Sequence, residues 1–498
     1  MKKSNDINPL TEEESYRDFV STITEDGKRN WIYPKKPSGK YYNYRTILSW
    51  FLLGFLFLGP FIKINGNPLI LMNVLERKFV LFGLVFWPQD FYLFFLAMLV
   101  IIVFVVLFTA IWGRLFCGWA CPQTIFMEML FRKVEYWIEG DFTQQRKLDQ
   151  QPMNRNKFIK KASKHSIFVA LSFLIANTFL AYVIGIEELY AIVTAPPSEH
   201  LTGFISIVIF TGVFYGVFAR FREQVCLVAC PYGRFQSVLV DNDSMAVTYD
   251  FARGEGRAKV KERIKDGDLV TNIPKKADSI VASYGDCIDC ELCVKVCPTG
   301  IDIRNGIQLE CINCTACMDA CDDVMRRIGK PEKLITHTSY NAVVERSKAR
   351  FFTPRVIAYL GVFTVLVTLF TYLLLTRPEV NTVILREPGM LYNELPGDRF
   401  SNFYNARFFN KTFNEMDVEL QLLSPEGEIQ FLGEMELIPG QQQIEKRVMV
   451  FLPADQLVGT QTPVEFGVYQ DGKLIQTVRS QFVGPDLLRR ERLRQENE

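Results

Sequence analysis

Long apolar runs alternate with charged segments over the first three quarters of the chain, and a different pattern takes over after residue 376. Five runs approach the length of about 20 residues that a bilayer-spanning helix needs. They lie at Thr46 to Ile62, Phe91 to Ile111, Ile167 to Ile186, Leu201 to Ala219 and Val356 to Thr376. The first is short and ends at "GPF", a deficit that local bilayer thinning and flanking aromatics cover. These runs are too long and too free of charge for the interior of a large soluble protein. From Arg377 to Val483 the pattern shortens to alternating stretches such as "DVELQLL", "RVMVFLP" and "PVEFGVYQ", broken by Pro and Gly turns. That alternation predicts an antiparallel β-sandwich of roughly 100 residues.

The charges between the runs set an orientation. The N-terminal segment and the Trp112 to Ser166 loop, with "RNKFIKKASKH", are rich in Lys and Arg, whereas "EELYAIVTAPPSEH" has neither. By the positive-inside rule the N-terminus, the Trp112 loop and the segment Arg220 to Arg355 are cytoplasmic, and five crossings put the C-terminus outside. The expected divisions are a polar segment over 1–45, a four-helix membrane domain over 46–220, a cytoplasmic region over 221–355 with its core at about 280–330, a fifth membrane helix over 356–376, an outer sandwich over 377–485 and a charged tail over 486–498. The setting is a bacterial inner membrane.

Composition agrees. The hydrophobic fraction of 49% and the 41 Phe suit a membrane protein. Lys plus Arg at 56 against Asp plus Glu at 55 gives no support to a nucleic-acid partner. The first forty-five residues lack the apolar core of a cleavable signal peptide. All 12 cysteines fall between Cys117 and Cys321 in regular groups, a spacing that suits metal ligands or redox thiols better than disulfides.

Eight of them form two runs. "CIDCELCVKVCPTG" begins at Cys287 and "CINCTACMDACDD" at Cys311, both spaced C-x2-C-x2-C-x3-C. Three closely spaced thiolates wrap one iron–sulfur cube while the fourth reaches to a second. The runs resemble those of bacterial two-cluster ferredoxins. That resemblance implies one [4Fe-4S] cluster on Cys287, Cys290, Cys293 and Cys321, and another on Cys311, Cys314, Cys317 and Cys297. Tetrahedral zinc is the rival, and the duplicated run weighs against it. Asp322 stands where the first run has Pro298, and with Asp319 and Asp323 it is expected to lower the potential of a nearby cluster.

Four cysteines remain, in "CGWACP" and "CLVACP". A shift of 109 residues carries Ala110, Cys117, Cys121, Pro122 and Phe126 onto Ala219, Cys226, Cys230, Pro231 and Phe235, so two related hairpins each end in Cys-x-x-x-Cys-Pro. On a continuous helix each pair would share a face. Such thiols would bind Cu(I), cycle as a dithiol, hold part of a cluster, or simply pack between helices. His165, His200 and His337 are too few and too scattered for a bis-histidine haem, and His165 and His337 read as surface residues. No C-x-x-C-H, P-loop or dinucleotide fingerprint occurs. Met153, Met318 and Met325 read as packing, and "RAKVKERIKDG" as a solvated face.

The order of these motifs, together with "YDFARGEGR" at Tyr249, "NWIYPKKPSGKYYNYR" and "RKFVLFGLVFWPQDF", resembles the CcoG family, also called FixG or RdxA, over nearly the full chain. Gly256 departs from the Pro that the resemblance leads one to expect. The resemblance implies an immunoglobulin-like C-terminal domain and an accessory protein of cbb3-type cytochrome c oxidase that reduces Cu(II) to Cu(I). Cys117, Cys121, Cys226 and Cys230 would then present copper, with oxidase assembly factors or copper chaperones as partners, membrane lipid around the helices, a cytoplasmic or quinol electron donor, and a homodimer as one available state. Two other readings stay open: a quinol-oxidising membrane ferredoxin feeding a respiratory reductase, and a scaffold that recruits oxidase subunits.

Overall fold

The computed structural model describes residue 22 and residues 28–64, 66–74, 78–87, 90–259, 284–389, 391–433, 437–470 and 472–485. The charged tail and most of "RAKVKERIKDG" lie outside them. The chain forms two compact units: residues 1–61 with 96–368, and residues 62–95 with 369–498.

Five helices in the described residues are long and apolar enough to cross a membrane: Lys40–Phe61, Phe91–Trp112, Arg155–Ile184, Leu201–Phe221 and Pro354–Leu375. Their outward faces carry Phe, Ile, Leu and Val side chains open to the surroundings, as lipid contact requires. The third begins well before its apolar run, because Asn154 caps it by accepting from the Lys157 N–H and the basic turns that follow continue the helix.

In the first unit the cysteine-rich segment is bracketed by a two-stranded antiparallel ladder, Ala246–Tyr249 with Ile335–Thr338, so the ferredoxin-like body starts before residue 280 and ends after 330. Its core contains Val247, Tyr249, Ile301, Ile303, Met318, Met325 and Leu334. Met318 and Met325 are therefore packing residues, while Met153 is exposed. His337 lies within the ladder and is half-buried, not a surface residue. His165 is exposed, and its Nδ1 shares a hydrogen bond with the Tyr215 hydroxyl at 2.9 Å.

In the second unit two antiparallel sheets face each other. One runs Glu428–Phe431, Gln443–Pro453, Arg399–Asn410, Val380–Arg386, with Asn393–Leu395 added on the third strand, and the other runs Glu419–Ser424, Gln461–Gln470, Lys473–Val483. Alternate residues point inward, and Tyr404, Phe408, Val448, Val450, Phe466 and Phe482 fill the space between. The segment between the first two membrane helices joins this unit: the strands Ile70–Asn73, Lys78–Leu81 and Leu84–Phe86 pair antiparallel, and Trp87 lies 5.2 Å from Phe409 by ring centroids. Buried Asp90 accepts from Arg377 at 2.5 Å and from Lys411 at 2.7 Å. Hydropathy marked this segment only as a link between helices.

Candidate functional site

The two ferredoxin runs repeat in conformation as well as in sequence. Asp289 and Glu291 in the first, and Asn313 and Thr315 in the second, occupy equivalent places and all have positive φ, between 49° and 64°. Left-handed backbone at non-glycine residues is uncommon and is held only by surrounding structure. Here it curls each C-x2-C-x2-C loop around a cavity. One cavity, with about 340 Å³ of atom-free space, is lined by Cys297, Cys311, Cys314 and Cys317. The other, with about 360 Å³, is lined by Cys287, Cys290, Cys293 and Cys321. Cys293 borders both.

These partitions match the crossed pattern of two-cluster ferredoxins, with the fourth cysteine of each run turned toward the other run's site. The rest of each lining is largely apolar, with Val247, Ile301, Ile303 and Ile312 at the first cavity and Ile288, Leu292, Val324 and Leu334 at the second. Among the described residues no three His, Cys, Asp or Glu side chains close on a single-ion position. Four thiols spread around a cavity fit a polynuclear cluster better than tetrahedral zinc. Burial is the leading cause that pushes the Cys293 and Cys311 thiols up to about 12 and Cys314 to about 11, so metal must displace protons to bind. Cys290 is the exposed member.

The acidic residues of the second run have partners of their own. Asp319 is buried and its carboxylate accepts from the backbone N–H groups of Tyr41 and Tyr42, at the start of the first membrane helix. Gly39, at φ 147°, leaves room for it, since a Cβ there would overlap the Asp319 side chain. Asp322 accepts from Lys333 N–H at 2.7 Å, and Asp323 pairs with Arg327 at 2.7 Å. Burial, in the lead, raises the Asp319 carboxyl. Asp319 thereby ties the ferredoxin-like body to the first membrane helix, while Asp322 and Asp323 are paired within the body itself.

The Cys-x-x-x-Cys-Pro segments also repeat in three dimensions, but not as continuous helices. In each copy the membrane helix ends at a left-handed residue, Gly113 with φ 57° or Arg222 with φ 52°, and these are equivalent under the 109-residue shift. One helical turn then carries Cys117 or Cys226. Cys121 and Cys230 have extended backbone, with φ −63°, ψ 124° and φ −76°, ψ 112°, and each caps a new helix whose first residue is proline. Proline opens a helix here rather than disturbing one, because a first-turn N–H needs no intrahelical partner. The pairs are thus joined by a break, not displayed on one helix face.

The break gathers all four thiols. Burial first, and then the charge on Cys121 and Cys230, pushes Cys117 up to about 11, and burial with the charges on Cys121, Cys117 and Cys230 pushes Cys226 up to about 12. Cys117 Sγ donates to the Oε1 of fully buried Gln236 at 3.4 Å.

The thiols also meet the ferredoxin-like body. Cys117 packs in one apolar cluster with Ile312, Cys314 and Cys317. Gly118 lies against the backbone of Ile312 and Asn313, where a Cβ would overlap the Ile312 carbonyl oxygen. Trp119 Nε1 donates to the Asn313 carbonyl at 3.3 Å, and Arg45 Nε from the first membrane helix donates to the Gly118 carbonyl at 2.6 Å. Sequence reasoning could not pair Gly118 with Asn313, which are 195 residues apart; the glycine inside "CGWACP" was the available signal.

Comparison with known proteins bears on both regions. Residues 221–340 match the family model of a 4Fe-4S dicluster domain, residues 94–142 that of a 4Fe-4S binding domain, and residues 370–485 that of the IG-like fold at the C-terminal of FixG. The second match holds only Cys117 and Cys121 among the cysteines. "Nitrogen fixation protein FixG" of Rhizobium meliloti is 33% identical, covering 79% of this chain and 79% of its own. "Protein RdxA" of Cereibacter sphaeroides is 36% identical, covering 77% of this chain and 80% of its own, and "Protein RdxB" of the same organism is 32% identical, covering 80% and 83%. With five membrane-length helices, 4Fe-4S domains and an immunoglobulin-like C-terminal fold, this chain belongs to the FixG/RdxA family of iron–sulfur electron-transfer proteins.

Proposed function

We propose that this protein is a cupric reductase of a bacterial inner membrane, which reduces Cu(II) to Cu(I) for assembly of a cbb3-type cytochrome c oxidase. The observation that carries the reading is the place of Cys117 in one apolar cluster with Ile312, Cys314 and Cys317, with no side chain between the Gly118 and Ile312 backbones. Cys287, Cys290, Cys293 and Cys321 would hold one cluster and Cys297, Cys311, Cys314 and Cys317 the other, and such clusters supply one-electron transfer when bound. The exposed Cys290 marks the side open to a donor, and Cys117 the side facing the membrane-edge thiols. Cu(II) gains one electron to become Cu(I), which soft thiolates prefer. Cys117, Cys121, Cys226 and Cys230 take up that ion as their protons leave. The oxidase, its assembly factors and copper chaperones enter through the family resemblance.

The orientation belongs to the same proposal. Residues 29–36 pack with the Trp112 loop and the ferredoxin-like body, through Arg29–Glu223, Lys36 N–H to Asp141 and Lys35 N–H to the Lys295 carbonyl. Those basic segments are therefore cytoplasmic by charge. Residues 62–95 share the other unit with the sandwich, which fits a common outer side after an odd number of crossings.

The test is electron paramagnetic resonance of anaerobic, dithionite-reduced protein freed of excess reductant and titrated with Cu(II). Joint loss of the cluster and Cu(II) signals, with Cu(I) formed in proportion, is expected. Reduced clusters persisting beside Cu(II) would overturn it, and full activity after all four membrane-edge cysteines become Ser would take the copper role from those thiols.

One observation favours a second reading, quinol oxidation. A cavity of about 560 Å³ lies where two membrane helices end, lined by Trp31, Phe168, His165 and Tyr215 with Glu135, Glu139, Lys161 and Lys164. Its size suits a ring-shaped ligand, and its carboxylates suit proton release. Rapid cluster reduction by a quinol analogue with no response to copper would move the assignment to it.

A further inference from the structure

The segment "YDFARGEGR" has no part in the copper chemistry, yet it is built with care around one atom. Tyr249 ends the strand Ala246–Tyr249, is 3% exposed, and borders the cavity of Cys287, Cys290, Cys293 and Cys321. Its hydroxyl has no hydrogen-bond partner of acceptable geometry among the described residues. A buried hydroxyl without a partner is costly, and a site that retains one needs a reason.

The rest of the segment holds the ring in place. Gly254 sits over the hydroxyl, where a Cβ would overlap it. Asp250 accepts from the Arg253 N–H at 3.1 Å. The Arg253 guanidinium pairs with Asp286 at 2.9 Å, one residue before Cys287, and donates to the carbonyls of Glu332 and Pro331 at 3.1 and 2.9 Å. The strand, the loop and the first cysteine of the run are thereby tied together around the phenol.

The geometry points to Tyr249 as a positioning residue that donates its phenolic hydrogen to the Cys287 sulfur when that sulfur ligates iron, raising the reduction potential of the group held there. The inference rests on the reading that these four thiols hold a cluster. Reduction adds negative charge to the cluster and its sulfurs, and a fixed donor stabilises the more negative state. A merely structural tyrosine would affect stability and leave the potential where it was.

The experiment is an anaerobic redox titration of the full-length protein in detergent, without copper, followed by electron paramagnetic resonance, for wild type and Tyr249→Phe. One reduction wave is expected to move to lower potential, so that the reduced-to-oxidised ratio at a fixed potential falls about tenfold, equivalent to about 59 mV for a one-electron couple. The other wave stays in place and iron content is retained. Two unmoved waves at full iron content would overturn the assignment. If the Phe variant loses iron, site-specific 3,5-difluorotyrosine at 249, a stronger donor of nearly the same shape, is expected to move the wave to higher potential, and an unmoved wave sinks the idea. Because copper is absent, failure here leaves the cupric reductase reading standing, and a failed copper titration leaves this one standing.

Discussion

The two cysteine systems are both duplicated, and they are built for opposite ends. In the ferredoxin runs two left-handed residues per copy, Asp289 with Glu291 and Asn313 with Thr315, close the loop around a cavity. In the membrane-edge segments one left-handed hinge per copy, Gly113 or Arg222, delivers a short turn and a proline-started helix, with the two cysteines of each copy on either side of a break. The first construction suits a resident group enclosed by its ligands. The second leaves four part-buried thiols near one another, as an ion that arrives and departs requires.

The most drastic way to break the contrast is to remove ligands from each side. Cys317→Ser is expected to abolish one cluster and about half of the roughly eight irons per chain, whereas Cys117→Ser with Cys226→Ser leaves iron content unchanged. Iron analysis of both variants decides it, and loss of iron from the double variant would mean that the 94–142 match marks an iron site.

Next in size is the seam between them. Gly118→Ala places a methyl group against the Ile312 carbonyl oxygen. A displacement of about 1 Å at a reacting contact can lower rates on the order of 100-fold. Cu(II) reduction by pre-reduced protein should therefore slow by about 10- to 100-fold at unchanged iron content, as stopped-flow bleaching of the clusters would show; an unaltered rate would remove the seam from the route.

A smaller effect comes from protons. Burial, with neighbouring sulfur charges, holds Cys117 near 11 and Cys226 near 12, so both thiols are protonated at neutral pH and each must release its proton to bind Cu(I). Apparent Cu(I) affinity should thus rise with pH by about tenfold per unit for each thiol proton displaced, up to those values. Competition with a Cu(I) chelator between pH 6 and pH 9, as an order-of-magnitude window, would reveal a flat profile if the thiols are not ligands.

The smallest effect concerns Gln236, whose carbonyl oxygen accepts from Cys117 at 3.4 Å. One hydrogen bond contributes about 0.5–1.5 kcal/mol. Gln236→Leu is accordingly expected to shift Cu(I) affinity by only a few-fold while leaving both cluster waves untouched. A shift in the cluster waves would show that the two thiol systems are not separable.

Much of this was legible in the sequence because it depends on local regularities. Apolar length marked the five membrane helices, period-two alternation marked the sandwich, and the C-x2-C-x2-C-x3-C spacing marked the cysteines that line the two cavities. The reading of Cys117 and Cys121 on one helix face was wrong because a helical period assumes an unbroken helix, and proline at 122 starts a new one. For the acids Asp319, Asp322 and Asp323 composition gives their charge but not their partners, and those of Asp319 are Tyr41 and Tyr42, far along the chain.

By itself, then, the amino-acid sequence determined which segments enter lipid, which alternate as strands, and which cysteines belong to one run. Each of those depends on residues within about twenty positions of one another, where hydropathy and chain geometry act directly. Tertiary structure alone decided that Cys117 shares an apolar cluster with Ile312 and Cys314, that Gly118 meets Ile312, that residues 62–95 join the sandwich, and that Tyr249 borders the cavity of Cys287. Those contacts join residues tens to hundreds of positions apart. Their specificity comes from close packing and from the pairing of buried polar groups, which no local pattern encodes.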